Sequence, residues 1–178
     1  LTGRRYRLVE YHGAPDADRV LVIMGSAGQT VIQAVDHLNV LGEKVGVIQI
    51  RMYRPFPVAD VLAAIPETVT KMAVMDRTKE PGAGGEPLFL DVCAALAEAV
   101  ASGRRATLPR VIGGRYGLSS KEFTPAMAVG VYAELAKASP RPRFTVGIND
   151  DVSLTSIDYR ADLDVESPAT RRAVFYGI

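Results

Sequence analysis

Val20-Leu-Val-Ile-Met24 is a continuous apolar run, bounded by Asp18-Arg19 on one side and by Gly25-Ser26 on the other. An unbroken apolar run of this length suits a strand buried on both faces, which places it at the centre of a parallel sheet. Downstream, Val31, Val35, Leu38 and Leu41 recur at three- or four-residue steps, and Gly42 stands where a left-handed helix cap belongs. Strand, turn and amphipathic helix together make the first half of a βαβ unit.

The alternation continues outward from there. Val45–Ile50 reads as a strand, Pro57 to about Ile65 as a short helix, and Lys71–Met75 as a third strand. Thr78–Gly85 is too rich in Pro and Gly for regular structure, and a helix from Pro87 to about Ala101 follows. Arg110–Ile112 is the fourth strand, Thr124-Pro125 opens a helix to about Ala138, and Phe144–Ile148 is the fifth strand. Right-handed crossovers between such strands predict a three-layer α/β/α sandwich around an open, mainly parallel five-stranded sheet. Tyr6, Leu8 and Tyr11 mark an extended run before Asp18 that adds an edge segment.

The chain has 178 residues, 48% of them hydrophobic, with a net charge of +1. That length and apolar content suit a single globular core, and the interspersed charge argues against nucleic acid as a partner. No apolar run is long enough for a membrane span, and no basic, greasy leader precedes a cleavage site. The lone Cys93 excludes an internal disulfide and a thiolate cluster, which fits a reducing cytoplasm. From Asp158 the pattern weakens into a polar, acidic linker, and Arg172–Ile178 reads as a new strand. The expected organisation is a domain over 1–157, with 158–178 as linker and first strand of a further, truncated domain. Leu1 in place of methionine points the same way, to an excised piece, although a processed chain would look alike.

Ligands of open parallel sheets bind beyond the carboxyl ends of the strands. The loops there carry Gly25-Ser26, Arg51–Arg54, Asp76–Glu80, Arg115-Tyr116 and Asn149-Asp150-Asp151. So much charge at one edge suits either an anion site or a rim facing water or protein. Gly25-Ser-Ala-Gly28 invites a phosphate reading, and the alternative is a tight turn in which Ser26 caps the helix. The dinucleotide pattern is incomplete, since a third glycine is missing and Arg51 stands where an acid is wanted. Arg115 and Lys121 flank Gly117 and Ser119-Ser120, where amides, hydroxyls and two cations suit a carboxylate or phosphate. Alternatively Ser120 caps a helical turn, Arg115 pairs with an acid and Tyr116 packs on the flank. Asp150-Asp151 lacks the further ligand spacing of a metal site. His12 in a loop, His37 on a helix and Cys93 among small residues assemble no catalytic set, so no catalytic or metal-binding residue is assigned. The candidates for an anion or interface role are Ser26, Arg115 and Lys121.

Tyr11–Asp16, Met24–Ser26, Val45–Pro57, Asp76–Gly82, Gly113–Pro125 and Phe144–Val152, in that order, resemble one internal domain of pyruvate:ferredoxin (flavodoxin) oxidoreductase. That domain is its core domain II, which is transketolase C-terminal-like. Glu166–Gly177 resembles the approach to the family's next domain, where a coenzyme A-associated Gly-Ser-Asp-Gly-Thr loop follows. The resemblance implies a large, cytoplasmic, usually dimeric enzyme that decarboxylates pyruvate on thiamine diphosphate. Electrons pass through iron–sulfur clusters to ferredoxin or flavodoxin, and the acetyl group goes to coenzyme A. It implies that these cofactors are held by other domains, and it carries no ligand or catalytic residue onto a position of this chain. Where the family run resembles Asp-Asp-Val-Thr-His-Thr-Ser, this chain departs at Leu154. The expected role is a structural and assembly domain that is inactive alone. The alternatives are a phosphate- or coenzyme A-binding module using Arg115, Lys121 and the helix after Ser26, or a stand-alone scaffold derived from the enzyme.

Overall fold

The computed structural model describes residues 3, 6–149, 152–166, 169, 171 and 173–177. A six-stranded sheet runs β1(Val9–Gly13), β3(Val45–Ile50), β2(Arg19–Met24), β4(Lys71–Asp76), β5(Arg110–Arg115), β6(Arg143–Thr145) across its width. The sheet is parallel from β3 to β6, and β1 lies antiparallel on the outer edge of β3. β1, an addition to the five strands expected, is thus the edge segment that Tyr6, Leu8 and Tyr11 foreshadow. Val9-Glu10-Tyr11-His12 alternates in the manner of an edge strand, unlike the apolar runs inside the sheet.

Helices α1(Ala27–Val40) and α4(Pro125–Ala136) cover one face, and α2(Val58–Ala63) and α3(Pro87–Ala101) the other. Val31, Val35, Val131 and Leu135 meet Leu21, Ile23 and Ala73 on the first face. Val61, Leu88, Val92 and Leu96 meet Val20, Val22, Ile48 and Val74 on the second. Successive strand residues point to opposite faces, so β2, which feeds both cores, must be apolar throughout. Fully burying each of these aliphatic side chains contributes about 1.5–3 kcal/mol. Gly42 has φ +89°, the left-handed stop expected after α1.

Residues past β6 remain attached to the first core. Thr145 and Ser156 form a parallel bridge, Ile157 is buried, and Tyr159 packs over Gly130 of α4. Beyond them residues 160–166 and 173–177 carry no strand or helix, and Val174, Phe175 and Tyr176 are exposed.

Candidate functional site

β3 and β4 lie on opposite sides of β2, so the sheet's connections change direction between β2 and β4. A cleft opens beyond the carboxyl ends of the strands at such a switch. Here it measures about 380 Å³ and is lined by Ser26, Ala27 and Thr30 at the head of α1, by Arg77 after β4, and by the loop from Tyr116 to Phe123 after β5. Ser26 and Lys121 therefore share one cleft, while Arg115 is absent from its lining.

Each wall has a local cause. Gly25 turns the chain with φ +76°, and Ser26 takes the N-cap position of α1 without the side-chain capping bond expected of it. Gln49 reaches from β3 beneath this turn, its Nε2 donating to the Gly25 carbonyl at 3.1 Å. A Cβ at Gly28 would lie 2.5 Å from Gln49 Nε2, so Gly28 answers to packing rather than to phosphate approach. The opposite wall is fastened by Arg77, whose Nε donates to the Gly117 carbonyl at 3.1 Å. Tyr116 is buried against Phe123, with ring centroids 4.6 Å apart, and burial pushes its phenol up to about 12.

Arg115 points elsewhere. Its Nε donates to Glu86 Oε1 at 2.5 Å, and the side chains are 23% and 4% exposed respectively. Asp76, placed by sequence among the rim charges, is wholly buried at the end of β4. Its two carboxylate oxygens accept from Leu88 N at 3.0 Å and Phe89 N at 3.1 Å, which satisfies the first turn of α3. Burial raises its carboxyl above the usual value despite those two bonds. The glycines before Arg115 serve the core as well, since a Cβ at Gly114 would lie 2.5 Å from Met75 Sδ.

Arg51 and Arg54 of the rim are partnered as well. Arg51 Nη2 donates to Glu10 Oε2 at 2.7 Å, and its guanidinium lies 4.9 Å from the centre of the Tyr6 ring. Arg54 Nη1 stands 2.8 Å from Asp91 Oδ2, and its guanidinium covers the Tyr53 ring at 3.8 Å. His12 Nε2 lies 2.6 Å from Asp36 Oδ1, His37 is half-buried on α1, and Cys93 is a partly buried α3 residue whose thiol burial pushes up. Asp150 and Asp151 lie outside the described residues. Leu154 is exposed with φ +51°. Among the described residues no group of three or more His, Cys, Asp or Glu could hold a metal ion, and no helix is long and apolar enough to cross a membrane.

Arg77, Thr30, Gln49 and Glu86 enter the site's architecture without having been assigned roles from sequence. Arg77 carried a signal, its place one residue beyond an apolar strand; the others depend on contacts between separate elements.

The family model for pyruvate:ferredoxin oxidoreductase core domain II matches residues 17–118. Pyruvate-flavodoxin oxidoreductase of Trichormus variabilis is 57% identical over all of this chain, which spans 15% of that protein. Pyruvate:ferredoxin oxidoreductase of Moorella thermoacetica is 47% identical, again over all of this chain and 15% of the relative. A solved 2-oxoglutarate:ferredoxin oxidoreductase from Magnetococcus marinus, with 2-oxoglutarate, coenzyme A and succinyl-CoA bound, aligns with TM-score 0.48 at 23% identity over 74% of this chain and 20% of its own. With more than half of its length under the family model, the chain belongs to the pyruvate:ferredoxin oxidoreductase core domain II family.

Proposed function

We propose that this chain is a structural and assembly domain of a multidomain pyruvate:ferredoxin or flavodoxin oxidoreductase, its charged edge positioning neighbouring domains around the active site. The observation that carries this reading is similarity along the whole chain to relatives of which it spans only 15%. The enzyme so assembled converts pyruvate to acetyl-CoA in the cytoplasm, acts as a homodimer and reduces ferredoxin or flavodoxin. Thiamine diphosphate, iron–sulfur clusters and coenzyme A belong to its other domains. The residues of this chain do not fit a cluster, because Cys93 is its one thiol. The domain boundary near residue 157, with the tail leading into a following domain, belongs to the same proposal.

The chain purified alone is expected to fold and to show no pyruvate-dependent reduction of ferredoxin, flavodoxin or a viologen dye. Turnover by the isolated chain overturns the proposal.

One observation supports a second reading, a phosphate-bearing ligand such as coenzyme A: Ser26, Thr30, Arg77, Ser120 and Lys121 line a single cleft. Calorimetric titration with coenzyme A decides between the two. The assembly reading expects no saturable heat, whereas binding that vanishes in Lys121→Ala but survives in Arg115→Ala favours the ligand.

A further inference from the structure

Arg77 and Lys121 line the cleft at the switch in strand order, and among the described residues neither forms a salt bridge. One carboxylate, Glu122, shares the lining, so two cations less one anion leave a single positive charge. Arg77 Nε is spent on the Gly117 carbonyl at 3.1 Å, which fixes the guanidinium against the loop that carries Lys121. The first turn of α1 holds no acid, and Ser26 makes no side-chain cap, so the positive end of that helix adds to the same sign. Part of the wall is apolar, with the Phe123 ring seated on Tyr116.

We infer that this cleft receives the carboxylate of an Asp or Glu side chain from a segment of the same enzyme outside this chain, with Lys121 and Arg77 as its ionic partners. Three properties select a protein carboxylate over a phosphate-bearing ligand. A lining that sums to one positive charge matches one carboxylate, whereas Glu122 repels a ligand that carries several negative charges. The backbone has little left for a phosphate, since Gly28 N is turned to Gly25 O and Gln29 N to Ser26 O, each at 3.2 Å. Lysine and arginine side chains therefore supply the strong donors. The Phe123 ring gives an apolar neighbour of the incoming acid a surface to pack on, as the mixed lining of a protein interface requires. The chain spans 15% of its relatives, so most of such an enzyme is available to supply the segment. This inference rests on the assembly reading and gives its charged edge one definite contact.

Zero-length carbodiimide crosslinking of the multidomain enzyme that contains the chain, with peptide mapping by mass spectrometry, tests it. The expected product is an amide between Lys121 Nζ and an Asp or Glu outside this chain, and an excess of coenzyme A leaves its yield unchanged. When that acid is replaced by its amide, acetylation of Lys121 in the native enzyme quickens about tenfold, the factor set by a contact worth about 1.4 kcal/mol. Lys121→Arg keeps the partner segment protected in hydrogen exchange and Lys121→Glu exposes it, a contrast that depends on the sign of the charge. The inference is overturned if Lys121 couples only to Glu122 or another acid of this chain, if it couples to none, or if its acetylation ignores the loss of the partner acid. Coupling that coenzyme A abolishes assigns the cleft to the ligand and overturns it equally. None of these results touches the assembly reading itself, which falls only on turnover by the chain alone.

Discussion

Arg115 on β5 and Glu86 at the head of α3 hold one another across 2.5 Å, with the carboxylate almost sealed from water and the guanidinium partly open to it. This removes Arg115 from the cations available at the carboxyl rim and leaves Arg77 and Lys121 on the cleft. It also makes the pair energetically lopsided.

Arg115→Ala strands a buried carboxylate and should cost about 2–3 kcal/mol, whereas Glu86→Ala leaves a cation that water can reach and should cost about 1 kcal/mol. The double variant should lose less than the two single costs combined. Urea unfolding of the three variants measures this, and equal single costs would show that the burial difference is inconsequential.

Gly28→Ala should destabilise the chain by about 1–2 kcal/mol, because the new methyl displaces Gln49 and breaks its bond to the Gly25 carbonyl. In a Gln49→Ala background the same substitution should cost little. If the methyl costs the same in both backgrounds, the packing account of Gly28 is wrong.

Two carboxylates should give opposite pH slopes. Burial lifts Asp76 above 3.8, so its contribution is complete below that value and is lost as pH rises through the folded value. Burial also pulls Glu134 upward, but Lys137 and the Arg141 amide outweigh it and hold it below 4.5. Its contribution is present above 4.5 and is lost as pH falls through the folded value. Relative to Asp76→Asn the parent should weaken as pH rises past 3.8; relative to Glu134→Gln it should weaken as pH falls past 4.5. Unfolding midpoints over a pH series report both, and parallel profiles would refute the assignment.

Tyr132 is fully buried on α4 and donates from its hydroxyl to the Gly46 carbonyl of β3 at 2.8 Å. Tyr132→Phe should cost about 1 kcal/mol, since the ring still fills its space and one buried acceptor loses its donor. A neutral substitution, read from thermal unfolding, would mean that water replaces the hydroxyl.

The layers were legible from Val20–Met24, Val45–Ile50 and Lys71–Met75 because a strand buried on both faces must be apolar without interruption, and few other elements are. α3 was legible from Pro87 to about Ala101 because Pro87 opens it. The site was less so. Asp76 looked like one more rim charge, and only its distance to two amides of α3 reveals it as an interior cap. Ser26 had the right position and residue type for a cap but makes no such bond. Arg115 and Lys121, close in sequence, part company because Glu86, brought near by α3, claims one of them. Such outcomes depend on which elements become neighbours, and periodicity within one segment holds no record of that.

The bridge between Thr145 and Ser156 has a mechanical consequence. Thr145 N donates to Thr155 O and Ile157 N to Thr145 O, while Tyr159 is seated against α4. Tension arriving through the residues past 160 would first load this clasp, which lies alongside β6. The central strands would feel it only after the clasp had given way.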